Sequence, residues 1–367
     1  MKVLFLTNIP SPYRVDFFNE LGKLCELTVM FEKKSSKERD DSWSNFIIKN
    51  FNYKILQGKS VGVAEAYCPI VVKELKKKSY DKIVVCNYST PTGRIAINYM
   101  RRHKIKYFIE GDGGFAKSGK GLKEKLKRYF LKNASGYLST AEEHDKYYLT
   151  YGAEKEKIFR YPFTSLFYKD IIDTVPSKEN KLKLREELGI REKKVILFVG
   201  QFIYRKGFDV LINAMKNQNE TVGCYFVGGK ETEEYINLKN RLSLNNVHFV
   251  GFKNKEELKK YYQSADLFVL PTREDIWGLV INEAMSNGLP IISTNRCIAG
   301  LELVKDGENG FIVPVDDVDA LSQKIETILS SEQILETMGK KSLYKIRDYT
   351  FEQMAKRHME IFEKCKS

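Results

Sequence analysis

The stretch Pro271–Thr294, PTREDIWGLVINEAMSNGLPIIST, decides how the chain is read. Before it, Leu267 to Leu270 is an apolar run that reads as a buried strand, ended by Pro271 and Thr272. Gly278 to Asn287 reads as a helix, because Leu279, Val280, Ala284 and Met285 are apolar near helical spacing. Gly288 stops that helix and Pro290 opens the next strand. A helix N-terminus aimed into the crevice at the carboxyl ends of parallel strands favours a phosphate. Asp275 and Glu283 flank it, and ionised carboxylates suit the hydroxyls of a sugar or ribose. If 275–283 were helical throughout, it would span about 12 Å. Paired glycosidase carboxylates stand roughly 5–9.5 Å apart. The two acids therefore read as gripping different parts of one ligand, which predicts a nucleotide-sugar pocket. A solvated acidic loop beside a helix-surface Glu is the alternative that the pattern leaves open.

Working outward, apolar runs alternate with helical patterns through both halves. In the first, Val3–Thr7, Leu27–Phe31, Lys82–Cys86, Lys106–Ile109 and Gly136–Ser139 read as strands, and Val15–Leu24, Ala64–Lys78 and Thr92–Arg102 as helices. In the second, Lys194–Val199, Gly223–Val227, Val247–Val250, Asp266–Leu270 and Pro290–Ser293 read as strands. Such alternation predicts an α/β chain of two Rossmann-like lobes, each with a parallel sheet and right-handed crossovers, facing a central cleft. The polar segment Ile171–Asn180 reads as the linker. The expected domains are 1–170, 171–345 and a C-terminal helix in 346–367, over Phe351–Cys365.

The segment Asp275, Gly278, Glu283-Ala284-Met285 and Gly288-Leu289-Pro290 resembles the signature of retaining glycosyltransferase family 4, whose members have the GT-B fold. The family's first acid is Glu and stands here as Asp275, one methylene shorter; the neighbouring Glu274 is the alternative partner for the sugar. The resemblance implies a nucleotide diphosphate sugar as donor, a UDP-sugar first, with no cofactor and no metal. It also implies that the last helix crosses back onto the first lobe. Sugar transfer would go to an acceptor hydroxyl on the same face without an enzyme nucleophile, with lobe closure excluding water.

The run from Val195 to Gly200, then Gln201 to Gly207, then a helix over Phe208–Met215, reads as strand, Gly turn and helix. Arg205 and Lys206 there can neutralise diphosphate oxygens, or can be two surface cations. The family carries Arg directly after the first Gly, where this chain has Gln201; Lys206 matches the Lys that follows, and Arg205 replaces the missing charge. Gly251-Phe252 resembles the nucleobase turn, with Gly228-Gly229-Lys230 lining the same pocket, and Glu302 falls in the family's Gly-Gly-x-x-Glu loop.

The first lobe departs more from the family. Its Gly-rich loop is replaced by Asn8 to Arg14, containing Pro12, Tyr13 and Arg14, and no His stands at the strand end Phe108 to Gly114. Glu110 or Asp112 can orient an acceptor hydroxyl, and Gly111, Gly113 and Gly114 allow close backbone approach to a ligand. The candidate catalytic groups are thus Asp275, Glu283, Arg205, Lys206 and Asp112. The donor set is Gly200, Gln201, Gly251, Phe252, Glu274, Gly278, Leu279, Val280 and Glu302. The acceptor side holds Pro12, Tyr13, Arg14, Glu110, Gly113 and Gly114. The four histidines form no catalytic constellation, and His144 reads as structural or solvated. Asp317-Val318-Asp319 reads as a helix cap rather than a metal motif.

The formal charge is +13, and it is unevenly placed. Residues 1–170 carry 32 Lys and Arg against 19 Asp and Glu, while 171–367 carry 29 of each. In the densest basic part, residues 117–132, a helix would put Leu122, Leu126, Tyr129 and Phe130 on one stripe. The segment reads either as core-packed with a solvated basic face or as docked on an anionic membrane. A lipid-linked saccharide acceptor of bacterial surface polysaccharide or glycoconjugate synthesis follows by family analogy. No zinc-finger spacing or RNA-recognition motif supports nucleic acid as a partner. Six scattered cysteines without CxxC spacing point to a reduced, cytoplasmic protein, peripheral on the inner face of the plasma membrane if the basic lobe docks there. Two competing functions stay open: a sugar-nucleotide epimerase of the same fold, and a non-catalytic protein binding anionic lipid or nucleic acid.

Overall fold

The computed structural model describes residues 1–35, 47–77, 79–117, 119 and 121–365. The chain divides into two compact units, Met1–Thr164 with Thr350–Ser367, and Ser165–Tyr349. The junctions lie a few residues from the expected 170/171 and 345/346.

In the first unit the elements are β1 (Lys2–Thr7), α1 (Pro12–Leu21), β2 (Glu26–Phe31), β3 (Asn52–Ile55), β4 (Lys59–Ser60), β5 (Ala66–Tyr67), α2 (Ile70–Lys77), β6 (Lys82–Val85) and α3 (Pro91–Arg102). There follow β7 (Phe108–Glu110), α4 (Leu122–Leu131), β8 (Gly136–Ser139), α5 (Glu142–Thr150) and β9 (Ile158–Arg160). The second unit holds α6 (Lys178–Leu188), β10 (Lys194–Gly200), α7 (Phe208–Met215), β11 (Val222–Gly228), α8 (Glu233–Arg241), β12 (Val247–Val250), α9 (Lys255–Ser264) and β13 (Leu267–Leu270). It continues through α10 (Leu279–Ser286), β14 (Ile291–Thr294), α11 (Ile298–Leu303), β15 (Gly310–Val313), α12 (Val318–Leu329) and α13 (Glu332–Ile346). The last helix, α14 (Phe351–Lys364), belongs to the first unit, where it packs on α1.

Both main sheets are parallel, in the orders β3-β2-β1-β6-β7-β8-β9 and β12-β11-β10-β13-β14-β15. Each is doubly wound: the chain runs outward from β1 to β3, then returns to place β6 on the other side of β1. It does the same with β10 and β13. The crevices between β1 and β6 and between β10 and β13 are therefore the switch points at which such sheets bind ligands. Strands buried on both faces, such as β13 (LFVL, wholly buried) and β8 (GYLS, likewise), read as continuous apolar or small runs for that reason.

Several boundaries differ from expectation. Helix α1 begins at Pro12, not Val15, because Ser11 and Pro12 supply the N-cap and first helical position, and it ends at Leu21 before Gly22. Helix α2 begins at Ile70, not Ala64, because Ala66 and Tyr67 pair antiparallel with Lys59 and Ser60; Lys78 lies outside the described residues. The expected linker 171–180 runs into α6, whose N-cap Ser177 accepts from the Asn180 amide (3.2 Å).

Helix α4 corrects one reading of the basic segment. Leu122, Leu126 and Tyr129 are exposed (83, 38 and 50 %), and of the stripe only Phe130 is buried. A core-packed stripe is therefore not what forms. Ser118 and Lys120 of that segment lie outside the described residues. No helix among the described residues is long and apolar enough to cross a membrane.

Candidate functional site

At the switch point of the second unit the turns after β10 and β13 are locked together. Gly207 has φ +71°, and a Cβ there would stand 2.1 Å from the Pro271 carbonyl oxygen, so only glycine permits the contact. The Thr272 hydroxyl and the Arg273 amide both donate to the Arg205 carbonyl at 2.8 Å. The Arg273 guanidinium donates to the Tyr204 carbonyl (2.7 Å), holds Asp209 through both terminal nitrogens (2.9 and 2.6 Å) and meets Asp316 at 2.8 Å.

This frame aims two cations at one carboxylate. Lys206 Nζ donates to Asp275 Oδ2 at 2.5 Å, and the Arg205 guanidinium stands 3.5 Å from Asp275 Oδ1. Asp275 is buried, Lys206 partly so, and Arg205 is exposed. Arg205, Lys206 and Asp275 together carry one net positive charge at the carboxyl ends of β10 and β13. Asp275 is fixed in turn by its amide to the Arg296 carbonyl (2.8 Å) and by the Ile298 amide to its own carbonyl (3.2 Å). Glu274, the alternative partner, instead takes the Arg296 guanidinium.

Gly278, at φ +105°, then opens α10; a Cβ there would meet Cys297 Sγ at 2.9 Å. Burial, and then Asp275, push the Cys297 thiol up to about 12, so it is an inert packing group. Leu279 and Val280, in the first turn, are partly exposed. Glu283, one turn on, is half-buried and accepts from the Tyr262 hydroxyl (3.0 Å) and the Ser165 hydroxyl (3.5 Å). Burial raises its carboxyl above the ordinary range, and the Tyr262 hydrogen bond opposes that rise.

Of the remaining donor candidates, Gly200 ends β10 beside exposed Gln201, and Glu302 on α11 accepts from Tyr349 (2.9 Å). Gly251 and Phe252 are exposed at the end of the edge strand β12. Arg273, Arg296, Tyr262, Ser165 and Tyr349 escaped sequence reasoning, since each is brought in by tertiary packing rather than by motif spacing. Asp317 accepts from the Ala320 amide (2.9 Å) as the N-cap of α12. Among the described residues no group of three or more His, Cys, Asp or Glu side chains is placed to hold a metal ion.

A second cluster occupies the first unit's carboxyl edge. Pro12 is the first helical residue of α1, which carries Tyr13 and Arg14 in its first turn. Buried Arg14 divides its guanidinium between Glu110 and Asp112, while the Tyr13 hydroxyl donates to Asp112 (2.8 Å). Glu110 has no exposed surface and also accepts from Tyr161 (3.2 Å). Burial would raise its carboxyl, but the Arg14 charge, helped by His358, holds it down at about 2. Glu110 is thus an internal support, and only Asp112, with its side chain 28 % exposed, can meet an acceptor.

The glycine loop has a structural cause that the sequence reading missed. A Cβ at Gly111 would stand 3.3 Å from the His144 ring and one at Gly114 3.1 Å from the Tyr147 ring, both on α5. Gly113 has φ +143°. His144 is buried, and burial pushes its imidazole down to about 3, so it is neutral and structural.

Residues 180–343 match the family model described as glycosyl transferases group 1. An uncharacterised glycosyltransferase of Methanocaldococcus jannaschii is 30% identical over 196 residues, 51% of this chain and 49% of that protein. The capsular polysaccharide biosynthesis glycosyltransferase CapM of Staphylococcus aureus is 32% identical over 164 residues, 44% of this chain and 43% of its own. The chain thus spans about half the length of the curated relatives it matches. Among solved structures, HepE of Anabaena in complex with UDP superposes with a TM-score of 0.79 at 18% identity, covering 99% of this chain and 100% of that one, a likeness of fold. The fold is GT-B, and over residues 180–343 the chain is similar to the glycosyl transferases group 1 family.

Proposed function

We propose that the protein is a retaining glycosyltransferase that moves a sugar from a nucleotide diphosphate donor, a UDP-sugar first, to a hydroxyl of a saccharide acceptor. The reading is carried by the meeting of Arg205, Lys206, Asp275 and the N-terminus of α10 at the β10–β13 switch point. Departure of the diphosphate is the step in which negative charge develops. Two cations and a helix N-terminus fixed beforehand stabilise it without reorganisation, and this charge set is proposed to work without a metal. Asp275 grips the donor sugar, Glu283 the ribose hydroxyls, and Asp112 orients the acceptor hydroxyl. HepE was solved with UDP and with UDP-glucose, and CapM is named for capsular polysaccharide biosynthesis. Both support a UDP donor and a surface-polysaccharide acceptor.

The acceptor we propose is lipid-linked and met at an anionic membrane. Exposed Leu122, Leu126 and Tyr129 on α4, interspersed with Lys123, Lys125, Lys127 and Arg128, favour that surface.

Calorimetric titration with UDP, GDP and their sugar conjugates, without metal, tests the donor site. Saturable binding of one nucleotide class, lost in Glu283→Ala, is expected. No binding by any of them refutes the reading, and epimerised donor formed without acceptor would point to an epimerase instead.

A further inference from the structure

Helix α14 carries His358 into the interior of the first unit, where it has no exposed surface. Its ring packs against Phe5, Phe17, Tyr161 and Phe362, with centroids 6.3, 4.7, 4.5 and 6.0 Å away. Nδ1 lies 2.7 Å from the Met354 carbonyl one turn earlier. A carbonyl only accepts, so Nδ1 bears a hydrogen. Nε2 faces Glu110 Oε2 at 3.6 Å, and among the described residues neither atom has a hydrogen-bond partner.

The other oxygen of Glu110 accepts from Arg14 and from the Tyr161 hydroxyl, and the Arg14 charge beside it keeps the carboxyl ionised. A bare Nε2 would therefore set two acceptors against each other in a dry interior with no donor for either, a costly arrangement. A protonated Nε2 supplies the missing donor and a second positive charge.

We propose that His358 is held as an imidazolium and is a positioning residue for Asp112. Arg14 and His358 then balance Glu110 and Asp112. With His358 taking part of the Glu110 charge, Arg14 can be shared with Asp112, the one partly exposed carboxylate of the cluster. Burial pushes the acidic protons of Cys86, Tyr148 and Tyr161 up and the His144 imidazole down, so all four are neutral. The link to acceptor orientation rests on the glycosyltransferase reading; the charge pairing does not.

Two readouts separate those parts. The first is 15N NMR of the full chain labelled at histidine, with only four histidines to assign. Both ring nitrogens of His358 are expected to be protonated in the wild type, and Glu110→Gln should convert the ring to the Nδ1–H neutral form. The second is UDP release from UDP-glucose with water as acceptor, alongside UDP affinity. His358→Phe should slow release about tenfold, with His358→Gln, which keeps an N–H for Oε2 but not the charge, recovering part of that loss and UDP affinity unchanged in both. A bare Nε2 in the wild type overturns the proposal. So does release by the folded Phe variant within about twofold of wild type, or a folded Gln variant as slow as the Phe variant. Failure to bind UDP at all would instead count against the donor-site reading and leave the NMR result standing.

Discussion

Replacing Gly207 by alanine tests whether the two turns of the proposed donor site are locked as described, and Gly189→Ala is its control. Both glycines are left-handed, at φ +71° and +70°, but a Cβ at Gly189 meets nothing within 4 Å, whereas at Gly207 it would lie 2.1 Å from the Pro271 carbonyl oxygen. The left-handed conformation costs an L-residue about 1–2 kcal/mol, offset by roughly 0.4–1 kcal/mol from the less flexible unfolded chain. Gly189→Ala should therefore destabilise by about 0.5–1 kcal/mol. At Gly207 the obstacle is backbone, so the turns after β10 and β13 must part. That sacrifices the two hydrogen bonds onto the Arg205 carbonyl, each contributing about 1 kcal/mol. A total near 2.5–3 kcal/mol follows, about 2 kcal/mol beyond the control. Trp277, buried in the second unit, reports its urea unfolding by fluorescence in a Trp43→Phe background. UDP calorimetry on the same variants should show binding lost at position 207 and kept at 189. Equal destabilisation of the two within about 0.5 kcal/mol, with UDP binding intact in both, would refute the locking argument.

Lys206→Ala removes the better-buried cation facing Asp275 and should weaken UDP by about 10- to 100-fold, the worth of one charge-assisted hydrogen bond; an unchanged calorimetric Kd would remove Lys206 from the donor site. Tyr262→Phe deletes a donor to half-buried Glu283, so its carboxyl should rise further and UDP binding at neutral pH should weaken about threefold or more; titrating wild type and variant side by side checks this. The first unit should lose stability steeply in acid. Glu110, depressed from 4.5 to about 2, stabilises above pH 4.5 and loses that contribution, on the order of 3 kcal/mol, as pH falls through 2. His144, lowered to about 3, adds a loss from pH 6.5 downward, because the unfolded chain takes its proton. Glu32, raised to about 7 by burial against hydrogen bonds from Thr90 and the Ala66 amide, acts oppositely: its cost grows from pH 4.5 to 7 and offsets His144 there. Urea midpoints against pH should thus show a shallow middle and a steep limb below pH 4.5 that Glu110→Gln flattens. Changing Lys123, Lys127 and Arg128 to Glu should abolish cosedimentation with anionic vesicles and leave UDP binding untouched; retained cosedimentation would end the membrane proposal.

What the sequence made legible follows burial. Strands β8, β10 and β13, covered on both faces, print continuous runs and were placed within a residue or so. Edge strands β3 (NYKI) and β9 (IFR) are exposed or half-exposed and carry no such run, and β15 (GFIV) is only half buried; none of them was placed. The turns and the helix that carry Lys206, Asp275, Gly278 and Glu283 were legible because they are set locally. His358 was not, since it stands 248 positions beyond Glu110 and only packing brings them together. Nor could the glycine loop at 111–114 be separated from a ligand cradle without the α5 side chains against it. Between Glu274 and Asp275 the sequence left both open, yet geometry forces a choice. Consecutive residues of extended chain point to opposite sides, so only one of the two acids can face Lys206. The bridge between Asp275 and Cys297 fixes which, turning Asp275 to the cations and leaving Glu274 to Arg296. The shorter acid is therefore the one held against Lys206.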